Sequence, residues 1–201
     1  MKTTGTLSAL DVIYSRRSVR AFTRDPIPES TVRALIDAAV QAPTALDAQL
    51  WSFVVVQNRL RLARLSELTK IQFLQQTVKD PDLYLTIRSN PASDFFARFS
   101  DPQFDAFYGA TTLIVICTRG TGPFATADCW LAAENLMLAA SALGLGSCCM
   151  GAAVGALNSA EMRLELAIPP VVTAVAPIVV GVAGEPSAHA DRREPDIIAW
   201  K

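Results

Sequence analysis

The chain has 201 residues, 51% hydrophobic and 18% charged, which suits one compact domain, or two small lobes sharing a core. A formal net charge of −1 and a pI near 5.8 exclude an overall basic field for nucleic acid, so any anion site has to be local. The opening MKTTGTLSAL has no apolar core of signal-peptide length, and no apolar run is long enough to span a bilayer. The expectation is a cytoplasmic protein with no membrane or nucleic-acid partner.

Residues 7–17 place Leu7, Leu10, Ile13 and Tyr14 at helical spacing, and SVRAF breaks the pattern. DPIPES then starts a second helix, with Pro28 at an early helical position and Glu29 in the first turn. Val32, Leu35, Ile36 and Ala39 form its inner face. Residues 51–57 are strand-like by β-branched content, and helical patterns run from about 59 to 78.

Residues 79–108 differ from the rest. They hold the breakers KDPDLY, SNPASD and SDPQFD together with Phe95, Phe96, Phe99, Phe104, Phe107 and Tyr108. A short helix in an excursion fits, either as a satellite core or as an apolar wall or lid over a ligand pocket.

Residues 111–119 read as a strand buried on both faces. A long helix, apolar on most sides and interrupted by Glu134 and Asn135, starts at Pro123 and ends at Gly144. Those two polar residues are expected to face a partner. Residues 144–155 read as a glycine-bearing turn, 158–168 as a short helix capped by Ser159 or Asn158, and 172–184 as the last strand. The tail is polar and then ends in the apolar IIAW, as an arm packing on something else would.

Few side chains offer chemistry of their own. No zinc-ligand spacing, GxSxG, P-loop or GxGxxG is present, and the only histidine, His189, sits in the polar tail. Cys148 and Cys149 are adjacent; either a redox pair or small buried residues would account for them. Arg16, Arg17, Ser18 and Arg20 cluster at a helix end, where they suit phosphate oxygens or the helix dipole. A second basic cluster is Arg192 and Arg193. This inventory points to chemistry carried by a cofactor.

In order, YSRRSVRAF, IPESTVRALIDAAVQAPTALDAQLWSFVVV, ENLMLAASALGLGSCCMGA and APIVVGVAGEP with a basic tail resemble the nitroreductase family of FMN-dependent NAD(P)H oxidoreductases. The resemblance covers about Leu7 to Trp200 and is poorest over 79–108. It implies a single α+β domain over 1–201, with a mainly antiparallel central sheet flanked by helices. It also implies a homodimer in which the C-terminal arm of each chain extends the partner's sheet.

On the same resemblance, Arg16, Arg17 and Ser18 hold the FMN phosphate and ribityl chain, Arg20 lies near flavin N1 and O2, and Arg192 and Arg193 complete the phosphate site. Of those two, Arg193 is the safer assignment. Cys149, Met150, Gly151 and Ala152 lie against the isoalloxazine ring, and Pro43, Thr44, Ala45 and Asp47 come from the neighbouring subunit. The chain departs from the usual APSxxNxQPW at Thr44, Asp47 and Leu50. Asp47 is therefore expected to pair with Arg20 or another donor, or else to lower the flavin potential. The implied reaction is ping-pong: hydride passes from NADH or NADPH through flavin N5 to an acceptor such as a nitroaromatic or quinone. Two other readings of the motifs are a non-catalytic FMN-binding or flavin-storage protein and a different flavin reaction on the same fold.

Overall fold

The computed structural model describes residues 8–88, 94–187 and 191–201; Leu7, most of the 89–94 turn and His189 lie outside them. The first helix, α1 (Ala9–Ser15), opens with a reciprocal cap: Ser8 Oγ accepts from the Asp11 amide at 3.1 Å, and the Asp11 carboxylate accepts from the Ser8 amide at 2.9 Å. Its expected inner face is bare. Leu10, Ile13 and Tyr14 are exposed, and only Val12 is buried. Helix α2 (Glu29–Ala39) does bury Val32, Leu35 and Ala39. Pro28 is its N-cap residue, just outside the helix; its extended backbone (ψ 150°) cannot belong to the first turn.

Four strands follow in the chain: β1 (Trp51–Val56), β2 (Thr112–Thr118), β3 (Gly146–Cys149) and β4 (Thr173–Gly181). They form one sheet in the order β1-β2-β4-β3, with every neighbouring pair antiparallel. Every residue of β2 is buried, as its unbroken apolar run requires. The sheet therefore divides two cores. Leu113, Val115, Cys117 and Val179 face α3 (Arg59–Lys79) and the short helices α7 (Val154–Leu157) and α8 (Ala160–Glu165). Ile114, Ile116, Ile178 and Val180 face α2 and the long helix α6 (Pro123–Ala142). The architecture is the expected α+β, with helices on both faces of an antiparallel sheet.

Between α3 and β2 lie α4 (Pro81–Arg88) and α5 (Phe95–Ser100). Here the aromatic side chains pack on one another. Phe73 of α3 meets Phe99 at 4.6 Å between ring centroids, Phe99 meets Phe104 at 5.5 Å, and Phe104 meets Tyr108 edge-on at 5.7 Å. Phe107 is buried in the main core. Ser159 caps α8 by accepting from the Met162 amide; Asn158 instead ties α7 to the Ala174 backbone.

The 144–152 segment is not simply a turn, because Gly146–Cys149 is strand β3. Its glycines suggest a turn, yet only Gly144, with φ +73°, uses the left-handed conformation. Gly146 is small for a different reason: a Cβ there would sit 2.8–2.9 Å from three atoms of Val19. Gly146→Ala should therefore destabilise the protein by about 1–3 kcal/mol through overpacking. A thermal melt of the two proteins checks this, and an unchanged midpoint would mean that Val19 can move aside.

One proline sits inside a strand. Pro177 of β4 lies opposite Val115, and its carbonyl accepts from the Met150 amide at 2.8 Å just beyond the last β3 pair, Cys149–Ile178. Having no N–H, Pro177 can return no bond, so the β3 ladder stops there.

Candidate functional site

The arginine cluster is carried on an extended segment that leaves α1 and runs along the edge of the sheet. Ser18 bridges Ser147 of β3, and the Val19 amide donates to the Ser147 carbonyl at 2.9 Å. Farther on, Phe22 bridges Ala183, and the Thr23 amide donates to the Val182 carbonyl at 2.9 Å. Val19 is buried against Gly146, so the segment cannot slide, and its neighbours are fixed at the sheet edge.

The result is a cleft of about 470 Å³ lined by Arg16, Arg17, Ser18 and Arg20, and by Glu185, Ser187 and Arg192 from the stretch after β4. The two basic clusters, remote in sequence, thus meet. Arg193 is exposed and does not line the cleft, whereas Arg192 does. Arg16 Nε lies 3.3 Å from the Glu134 carboxylate, yet it is buried without a hydrogen-bond partner among the described residues. Glu134 thus has an ion-pair partner in its own chain, with its side chain still half exposed. Asn135 likewise donates to the Ala38 carbonyl at 3.4 Å. Arg17 Nη1 donates to the carbonyls of Tyr14 and Arg16 at 2.7 and 2.8 Å, closing the open end of α1.

Next to this cleft, β3 ends at Cys149 and the chain turns through Met150 into a short 3-10 turn, Gly151–Ala153. Met150 is buried, and Gly151 is exposed. A Cβ on Gly151 would meet nothing in the chain, so no internal contact demands glycine there. Burial pushes the thiols of Cys148 and Cys149 above their usual pKa; nearby Arg20 and Arg16 oppose this at Cys148. Both are free thiols, and these shifts make them poor nucleophiles at neutral pH, which favours small packing residues over a redox pair. Tyr108 has φ +58° and is also pushed up by burial, against the opposing charges of Arg20 and Arg98. Its hydroxyl therefore stays protonated.

The 43–50 loop stands elsewhere and does not line the cleft of its own chain. Leu46, Asp47 and Gln49 all adopt left-handed backbone, with φ between 48° and 55°. Leu46 is fully exposed at the tip. Asp128 of α6, itself buried, holds this loop: its two carboxylate oxygens lie 3.2 and 3.3 Å from the Ala45 amide. Thr44 Oγ1 accepts from the Gln49 amide, and Asp47 Oδ1 accepts from Gln49 Nε2 at 2.7 Å. Within one chain, Gln49 is thus the donor that Asp47 finds. Asp128, Glu185 and Tyr108 were not among the expected site residues. Only Asp128 had a local signal, as an acid among the apolar residues of the first half of α6.

The sequence profile of the nitroreductase family matches residues 13–181. A curated NADH dehydrogenase of Thermus thermophilus is 40% identical over 52 residues, which is 26% of this chain and 25% of that protein. Alignments with the first curated relatives take in only 25% to 33% of their lengths. Among solved structures, a nitroreductase with bound FMN from Bacteroides fragilis is 25% identical with a TM-score of 0.78, covering 98% of this chain and 100% of that one. A nitroreductase with bound FMN from Desulfitobacterium hafniense has the same fold at 22% identity and a TM-score of 0.76, covering 96% and 98%. With a profile match over most of its length and a matching fold, this chain belongs to the nitroreductase family.

Proposed function

We propose that the protein is an FMN-dependent oxidoreductase that takes electrons from NADH or NADPH and works as a homodimer. The observation that carries this reading is the meeting of Arg16, Arg17, Ser18, Arg20 and Arg192 in one cleft. The donor set fits a phosphate-bearing cofactor: four guanidiniums and two hydroxyls outnumber the single carboxylate of Glu185. Arg16 Nε, buried without a hydrogen-bond partner, and the bare Gly151 fit it as well.

In this reading Arg16, Arg17, Ser18 and Arg192 bind the phosphate end, and Arg193 drops to a supporting place. Arg20 supplies positive charge at the pyrimidine edge, and the backbone of Cys149, Met150, Gly151 and Ala152 abuts the ring. Bound FMN would supply the redox chemistry, accepting hydride from the nicotinamide and passing it to an electron-poor acceptor such as a nitroaromatic or quinone.

Two features support a homodimer. Leu10, Ile13 and Tyr14 on α1 and Phe124, Trp130 and Leu131 on α6 form apolar surface that no described residue covers. Strand β1 is a sheet edge, while Ile197, Ile198 and Trp200 of the tail are exposed. The tail of one chain is thus suited to extend the sheet of its partner, and Pro43, Thr44, Ala45 and Asp47 to face the partner's cleft. No helix among the described residues is long and apolar enough to cross a membrane.

The test is the visible spectrum of purified protein before and after anaerobic addition of each nicotinamide. A flavin spectrum bleached by NADH or NADPH is the expected result. Yellow protein that neither nicotinamide bleaches would sink the enzyme reading and leave an FMN-binding protein; colourless protein with no gain in melting temperature on adding FMN would sink both.

A further inference from the structure

A second cavity, about 770 Å³, is larger than the arginine cleft. It opens between the start of α3, the 24–27 stretch and the 102–111 loop. Its volume falls in the range of small-molecule sites. The floor is apolar: Ile27, Leu62 and Ala110 are each buried from bulk solvent, and Phe104 adds a ring to the wall. Such a floor favours an aromatic or branched apolar body.

Charge at this cavity is unbalanced. Of its three arginines, Arg64 is taken by Glu161 and Glu165 at 2.5 and 3.0 Å. Arg24 and Arg59 have no carboxylate partner among the described residues. The acids that line it are already engaged: Glu67 pairs with Lys70 at 2.8 Å, and the Asp105 oxygens accept from the amides of Phe107 and Gly109, both at 2.9 Å. Two free guanidiniums over an apolar floor lack a matching anion.

We propose that this cavity is a second ligand site, separate from the arginine cleft, that takes a small amphipathic carboxylate with an aromatic body. The carboxylate meets Arg24 and Arg59, and the body lies on Ile27, Leu62 and Ala110 against Phe104. The same Phe104 ring packs on Tyr108, which lies beside Arg20. The site does not depend on the oxidoreductase reading.

The test uses 2-naphthoate as probe, titrated calorimetrically into the full-length protein with whatever flavin it carries. The expected result is saturable binding at one site per chain. The uncharged 2-naphthamide should bind about tenfold or more weakly, and so should naphthoate to the Arg24→Gln/Arg59→Gln double variant, with flavin content unchanged. Equal binding of acid and amide would overturn the proposal, as would undiminished binding to the double variant or no saturation below about 10 mM. Naphthoate that competes with added FMN would place the probe in the arginine cleft and overturn it too. Loss of flavin reduction bears on the other site alone.

Discussion

Arg20→Met should cut flavin-dependent turnover about 100-fold while the protein stays folded and keeps its cofactor, the scale seen when one fixed electrostatic contact to developing charge is removed. Arg20 sits on the segment pinned to β3, beside half-buried Tyr108 and buried Cys148, so its position is set before any ligand arrives. In the proposed reading, a fixed cation there would stabilise the negative charge a reduced flavin carries at its pyrimidine edge. Its loss should lower the flavin midpoint potential and slow reduction by the nicotinamide, leaving KM for the nicotinamide nearly unchanged. Arg20→Lys keeps the charge without the planar fork and should recover part of the rate. Redox titration and stopped-flow reduction read both quantities. An unchanged potential in Arg20→Met would remove Arg20 from the flavin edge.

The second large effect is expected at Asp128. Asp128→Ala leaves the Ala45 amide without its buried acceptor, at a cost of about 1–3 kcal/mol. It also frees a loop that holds Leu46, Asp47 and Gln49 in left-handed backbone. If that loop completes the partner's flavin site, FMN affinity should fall about tenfold beyond any loss of stability. Asp128→Asn retains a carbonyl acceptor and should restore most of it. Fluorescence titration with FMN separates this from a stability effect seen by melting. Weakened stability with unchanged FMN affinity in Asp128→Ala would confine Asp128 to holding its own chain.

Much of this was legible in the sequence because it is governed by local pattern. The unbroken apolar run of β2, the long helix between Pro123 and Gly144 and the inner face of α2 all follow from periodicity and punctuation. The meeting of two basic clusters about 170 residues apart did not follow from pattern; the family resemblance supplied it. Three things escaped for physical reasons. Strand β3 is rich in small residues because Val19 crowds Gly146, and such a stretch resembles a turn. Arg192 rather than Arg193 reaches the cleft because a tail without regular structure has no periodicity from which to read direction. The cavity under Arg24 and Arg59 joins three distant stretches, and no local signal marks it.

The proline in β4 has a consequence for how this site is placed. In an antiparallel pair two residues exchange bonds in both directions, and at Met150 only one direction is available. The zipper between β3 and β4 therefore jams at a fixed tooth, and the chain must leave the plane of the sheet at Met150, whose ψ of 56° already departs from a strand. A residue that contacts no ligand thus acts as an end stop, setting the point at which Gly151 and Ala152 swing clear. Moving that stop by one residue would carry the backbone of Gly151 and Ala152 with it and turn the opposite face of the chain outward.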